Sequence, residues 1–216
     1  MSFAGPDRRD YDNVVSLNYA YLRCLKRRRG EGLGGLTVPG CHRLIDLDEH
    51  ESSRLAEVPF LLFSFREQDD RYWDRLLDGS GSGDLFRAAA SAEFGLLTSA
   101  ALGFIWRLAN QNPYSLRLFC GATLYWCERI ADLTICRLLD AVRAAGDVPL
   151  PRLAENQAMW RKLIDEGTSR ESRVRQAAHF VALQTVLTDA SAGRSQETLS
   201  LAARRSRVPG LKVADK

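Results

Sequence analysis

The chain's reactive side chains are its five cysteines, three histidines and two clusters of cations, and their spacing decides what chemistry is open to them. Cys120 and Cys127 stand seven residues apart and Cys136 nine further on, with His42 and His50 far upstream. A zinc site draws its ligands from closely spaced pairs of Cys or His. No such pair exists, so a metal would need ligands gathered from distant segments, and none is expected. No Ser/His/Asp order or inward carboxylate pair stands out. The glycine-rich "GSGSGD" (residues 79–84) lacks the lysine and the preceding strand of a phosphate-cradling loop. Catalytic residues, cofactors and metals are therefore not expected, and the chain reads as non-enzymatic.

The cations offer a different chemistry. "RCLKRRRG" (Arg23 to Gly30) gathers five positive charges, and "AARRSRVPGLKVADK" gathers more at the end. Clustered cations bind nucleic acid by neutralising phosphates and releasing counterions, without base contacts. Lys26, Arg27, Arg28 and Arg29 are the candidate phosphate contacts, joined by Arg204, Arg205 and Arg207. The competing reading of the first cluster is a solvated helix end whose charges complement the C-terminal dipole. For the second it is an unstructured, solubilising tail.

Composition limits the setting of these groups. The net charge of +3 is mild, and 45% hydrophobic with 26% charged residues is ordinary for a globular chain. An odd number of cysteines without a framework spacing fits reduced thiols in a cytoplasm. "MSFAGPDRRDYDN" has no apolar signal core. The longest apolar stretch, "FGLLTSAALGFIW" (Phe94 to Trp106), is too short for a membrane span, so it is expected as a buried helix.

Long segments repeat apolar residues every three or four positions, and the chain reads as all-α. A helix from Tyr11 to Arg28 presents Val14, Leu17, Tyr21, Cys24 and Leu25 on one face. Thr37 and Asp48 each suit an N-cap, giving a pair of short helices laid out like a helix-turn-helix. "FLLFSF" reads as a short extended segment, and "DDRYWDRLL" as a helix. Helices follow from Leu85 to Asn110, over Ser115 to Cys120, after Thr123, after Thr134, and on "RLAENQAMWRKLI". Thr168 with Glu171 makes a capping-box pattern for a last amphipathic helix to about Leu187. Glu49, Glu51 and Glu57 on or beside the second short helix would repel phosphate, which argues against groove reading there.

The same pattern occurs twice. Setting Cys41 on Cys127 fixes an offset of 86, at which Gly35/Gly121, Thr37/Thr123, Arg43/Arg129, Asp46/Asp132 and Leu47/Leu133 are also identical. That is 6 identities in 14 positions, where unrelated sequences would give roughly one. One residue of slippage later, "YWDRLLDG" meets "MWRKLIDEG" and Trp73 aligns with Trp160. Upstream, "LNYAY" (Leu17 to Tyr21) meets "LGFIW" (Leu102 to Trp106). Amphipathic helices do resemble one another generically, but packing does not dictate matched Arg and Asp. A duplicated helical unit accounts for them. Arg43 with Asp46, and Arg129 with Asp132, read as i,i+3 pairs on an exposed face. Cys41 and Cys127 read as small core residues.

"LGGLTVPGCHRLIDLDEHESSRLAEVPFLLFSF" (Leu33 to Phe65) resembles the central region of the FlhD family, one subunit of a flagellar transcriptional activator. Gly35, Thr37, Leu44, Leu47, Leu55, Ala56, Leu61, Leu62 and Phe65 fall on that pattern without gaps. The second copy resembles it too, most closely at "ADLT" (Ala131 to Thr134), and "SLNYAYL" resembles the family's first helix. Such chains are about half as long and pair as dimers, so the resemblance implies a covalent pseudo-dimer. The family's arginine before the glycine is replaced by Leu33 and Phe119, its asparagine by Pro59 and Ala145, and its linking cysteine by Phe63 and Pro149. The resemblance therefore does not carry a DNA contact or an intersubunit disulfide to this chain.

The resulting expectation is a first unit at 1–79, a linker at 80–84, a second unit at 85–167, a helix at 168–189 and a basic flexible tail at 190–216. The resemblance implies a cytoplasmic, FlhD-like transcriptional regulator or regulator subunit that works with a protein partner, a second regulator subunit among the candidates, and with DNA as a further one. The units themselves offer a surface for oligomers, and no membrane association is expected. The alternative is a helical interaction adaptor, chaperone-like or secretion-associated, that never meets nucleic acid.

Overall fold

The computed structural model of the chain describes residues 5–27, 41–78, 92–145 and 149–205, with the backbone alone at 41–42 and 190–205. These residues form an all-α fold: α1 (Arg8–Arg27), α2 (Cys41–Asp46), α3 (Glu49–Ala56), α4 (Asp70–Asp78), α5 (Ala92–Gln111), α6 (Pro113–Cys120), α7 (Leu124–Ala131), α8 (Ile135–Ala145), α9 (Gln157–Asp165) and α10 (Ser172–Arg205). Two short strands, β1 (Phe63–Ser64) and β2 (Leu150–Pro151), complete it. Thr37, Arg28, Arg29, Arg207 and the segment 79–84 lie outside the described residues.

Local chemistry sets the helix starts. The Asp7 carboxylate accepts from the Asp10 amide at 2.8 Å and the Asp10 carboxylate from the Asp7 amide at 3.3 Å, a reciprocal box that opens α1. Asp48 and Glu51 make the same box for α3, as its sequence position predicts. Thr123 caps α7 and Asn156 caps α9. Asn112 caps α6, with Pro113 in its first turn. The apolar faces then pack α1 on α3 and α5, α5 on α6, α7 and α8, and α4 on α8. Trp73, Trp126, Trp160, Tyr21, Phe60, Phe63 and Phe119 are fully buried between them. Phe94, Leu97, Leu102, Ile105 and Leu108 are buried as α5 crosses this core. Among the described residues no helix is long and apolar enough to cross a membrane.

The backbone repeats as the sequence does. The order α1, α2, α3, β1, α4 recurs as α5, α7, α8, β2, α9. At the offset of 87 that aligns the tryptophans, the two non-glycine residues with left-handed backbone, Arg66 (φ 60°) and Leu153 (φ 48°), are equivalent. Trp73 Nε1 donates to the Phe65 carbonyl at 3.1 Å and Trp160 Nε1 to the Arg152 carbonyl at 2.9 Å, again equivalent positions. Each left-handed residue costs on the order of 1 kcal/mol, and each is followed by the helix whose indole ties the turn down. β1 and β2 pair antiparallel, Phe63 opposite Pro151 and Ser64 opposite Leu150. Since Phe63 is equivalent to Leu150 and Ser64 to Pro151, the ladder is related to itself by a local two-fold axis.

Three expectations need correction. Arg43 and Arg129 do not form i,i+3 pairs with Asp46 and Asp132. Arg43 lies 2.5 Å from Asp165 on α9, and Arg129 pairs with Asp74 and reaches Asp78 at 4.0 Å on α4. The Thr168/Glu171 capping box is not made: Thr168 Oγ1 donates back to the Ile164 carbonyl at 2.7 Å, and the Glu171 amide donates to Ser169 Oγ at 3.1 Å. The hydroxyl is spent closing the end of α9, so α10 starts after it. Finally, α10 continues past Leu187 to Arg205, through a stretch of Ala, Ser, Gln, Arg and Leu that meets no proline before Pro209; residues 206–216 lie outside the described residues.

Gly121 closes α6 in the left-handed conformation (φ 62°), and a Cβ there would sit 2.9 Å from Val186 Cγ1 and 3.2 Å from the Val186 carbonyl. Gly121→Ala should therefore cost about 1–3 kcal/mol, from left-handed strain plus overpacking. Urea unfolding measures the loss, and adding Val186→Ala should recover part of it. Equal stability of Gly121→Ala and the parent would remove this contact from the account.

Candidate functional site

The two halves meet where polar groups are most deeply buried, around the β1–β2 pair. Arg152 follows β2 and is 3% exposed; Glu67, three residues beyond β1, is 1% exposed. Arg152 Nε donates to the Leu61 carbonyl at 2.6 Å, and Nη2 to the Phe63 carbonyl at 2.6 Å and to Glu67 Oε1 at 3.0 Å. Nη1 donates to the Cys120 carbonyl. The other Glu67 oxygen accepts from Ser64 Oγ at 2.5 Å. The guanidinium thus makes four hydrogen bonds with its five N–H groups, all to protein. It serves as a clamp and leaves little capacity for a ligand.

Asn18 on α1 completes the junction. Its side chain, fully buried, donates to the Ala56 and Phe60 carbonyls at 3.2 and 2.8 Å and accepts from the Leu62 amide at 2.8 Å. Backbone bonds Leu61 N to Phe119 O (2.9 Å) and Arg152 N to Leu62 O (2.8 Å) join segments from both halves. Around this polar seam, Trp73 of α4 meets Trp126 of α7 edge-to-face at 5.4 Å, and Tyr21 meets Phe63 at 5.0 Å. Asp10 on α1 holds Arg107 on α5 at 2.5 Å.

α10 straps across both halves. Its own Ala178, Ala182 and Val186 form the buried face. Arg175 pairs with Glu57 at 3.1 Å, and Arg54 Nε donates to the Thr168 carbonyl at 2.5 Å, tying the α3 end to the start of the strap. His179, 6% exposed, places Nε2 3.0 Å from the Gly167 carbonyl. Burial lowers the His179 pKa below its ordinary 6.5, outweighing the Gly167 hydrogen bond that raises it.

The candidate phosphate contacts divide. Lys26 Nζ donates to Ser52 Oγ at 2.7 Å and to the Asp48 carbonyl at 3.4 Å, pinning the end of α1 to α3. Arg27 pairs with Glu93 on α5, its side chain 57% exposed. Arg28, Arg29 and Arg207 lie outside the described residues, and Arg204 and Arg205 stand in the last turn of α10 with no described side chains. The α3 carboxylates have structural tasks: Glu51 caps, Glu49 accepts from Tyr19, and Glu57 takes Arg175. Cys120 and Cys127 are buried; burial raises the Cys120 thiol well above its usual range and pushes Cys127 up to about 12, so both stay protonated. Among the described residues no three His, Cys, Asp or Glu side chains gather as metal ligands.

Sequence reasoning missed Arg152, Glu67 and Asn18. The available signals were a charge inside the apolar "VPLPRL" run and a polar residue on the apolar face of α1.

Removing one partner of a buried pair strands the other, at a cost of about 3–5 kcal/mol. Arg152→Met alone should lose that much in urea unfolding, and Arg152→Met with Glu67→Leu should lose less than the two single changes summed. Additive losses would show that the two charges do not depend on each other. For His179, the unfolded chain takes up the proton first as pH falls, so stability should decline from about pH 6.5 downward. In Tm measured between pH 8 and about pH 5, where few carboxylates titrate, His179→Gln should show a flatter profile; an identical slope would assign the effect elsewhere.

In comparisons with known proteins, no family model, no curated protein and no solved structure matches the chain, so its geometry and residues carry the functional reading.

Proposed function

We propose that the chain is a non-enzymatic transcriptional regulator or regulator subunit, in effect a fused pair of FlhD-like units, that acts in the cytoplasm through a protein partner. The observation that carries this is the reciprocal way the halves hold each other. Arg43 of the first reaches Asp165 of the second, and the equivalent Arg129 of the second reaches Asp78, the equivalent of Asp165, in the first. Such an exchange is what two identical subunits make across a two-fold interface, and it supports reading the chain as a dimer joined into one.

A partner has apolar surface to meet. Phe180 and Val181 on α10 are 58% and 43% exposed, and Tyr125 on α7 is 55% exposed. Direct groove reading by α3 is disfavoured, since its carboxylates and Arg54 are committed within the fold. In this proposal phosphate contact comes from Lys26, Arg27, Arg28 and Arg29, with Arg204, Arg205 and Arg207 as a second cluster.

The interaction adaptor is the second reading, favoured by the internal engagement of Lys26 and Arg27. Salt-dependent retention on DNA separates the two. Under the regulator reading, changing Lys26, Arg27, Arg28 and Arg29 together to Glu should abolish retention while circular dichroism shows the helices intact. Absence of retention by the parent chain at low salt, with only protein partners captured after nuclease treatment, would establish the adaptor reading instead.

A further inference from the structure

The junction is symmetric in backbone and asymmetric in charge. At the offset of 87, Arg152 is the equivalent of Phe65, and Glu67 is the equivalent of Ala154. The cation thus belongs to the second half alone and its carboxylate to the first alone, while the ladder, the left-handed turns and the indole bonds around them are shared. We propose that this buried pair makes the junction heterotypic, so that a first half accepts only a second half as its partner, within one chain or from another copy of the chain.

The physical reason lies in what like pairing would bury. Two first halves would face Phe65 to Phe65 across the axis. They would keep two Glu67 carboxylates with no guanidinium, and would leave the Leu61 and Phe63 carbonyls without the donors that Arg152 supplies. Two second halves would bury two Arg152 guanidiniums with an alanine at the carboxylate position. An uncompensated buried charge is penalised far more than a complete pair, and here each like pairing carries two. The crossed pairs Arg43–Asp165 and Arg129–Asp78 add no selectivity of their own, because they join the same residue types in both directions, whereas Arg129–Asp74 and Asp10–Arg107 have no such counterparts and favour unlike pairing as well. Of the side chains that discriminate, Arg152 and Glu67 sit beside the axis, where water cannot screen them. The expected preference is at least about 100-fold for unlike over like pairing.

This inference rests on the fused-dimer reading, and the test separates their failures. A specific protease site is placed within residues 79–84 of the full chain, the purified protein is cut, unfolded in urea, refolded, and weighed by native mass spectrometry. A 1:1 complex of the two fragments, with like pairs below about one part in a hundred, is the expected result. Like pairs in comparable amount would overturn the heterotypic junction and leave the fused dimer standing. Fragments that separate after cutting would overturn both. The same cut chain carrying Arg152→Phe and Glu67→Ala, which gives each half the other's residue, should refold into like and unlike pairs together. Exclusive unlike pairing in that variant would assign the selectivity to other contacts, and should it not refold, the cut chain carrying Arg152→Met and Glu67→Leu is read in the same way.

Discussion

A guanidinium withdrawn from water is the constraint on which the rest of this fold turns. Arg152 is tolerated at 3% exposure because four acceptors converge on it: Glu67, and the carbonyls of Leu61, Phe63 and Cys120. Those acceptors come from β1 with the residues on either side of it and from the end of α6, so the charge, itself beside β2, fixes three segments from two halves in one arrangement. A ladder of only two residues per strand is marginal by itself. Here it is held from one side by Arg152 and from the other by Asn18, whose amide ties α1 to the same segment. Such a seam discriminates against misplacement, since any shift strands a charge or a carbonyl in apolar surroundings.

Around the seam, repetition has been kept where it is structural and lost where the axis passes. The equivalent left-handed turns at Arg66 and Leu153, closed by Trp73 and Trp160, are the same device built twice. The crossed ion pairs from Arg43 and Arg129 are another. At the axis itself, one chain is free to place different residues on the two sides, which two identical subunits cannot do. Phe65 against Arg152 and Glu67 against Ala154 use that freedom.

Among the described residues α10 has no counterpart in the repeated order, and it covers both halves at once. It contacts the turn after α9 through His179, α3 through Arg175, and Gly121 through Val186. Gly121, identical with Gly35 in the sequence repeat, answers a backbone need that only the structure shows: a left-handed helix end, and a helix pressed against it. A strap tied by one buried imidazole and one surface ion pair links the packing of the halves to the outward apolar face that bears Phe180 and Val181.

Much of this was legible in the residues. Helical periodicity marked the elements, Asp48 and Thr123 marked their caps, the matches Cys41/Cys127 and Trp73/Trp160 marked the repeat, and apolar spacing marked Tyr21, Cys127 and the α5 core. These are local or periodic signals, set by backbone hydrogen bonding and by which face of a helix turns from water. The partners of charged residues were another matter. Arg43 and Asp46, three apart, suggested a local pair, whereas the ion pair formed spans the halves; Lys26, one of the candidate phosphate contacts, also closes α1 onto α3, which no local signal marked. Arg152 and Glu67 carry no local sign of their bond, because 85 residues separate them and only the folded junction brings them together. The sequence by itself determined the helices and their faces, since each follows from chemistry within a few turns of chain, and it displayed the repeated pattern as residue identities. Which charges are buried, which are spent, and which half holds which were decided by tertiary structure alone, because desolvation acts on groups that only packing makes neighbours.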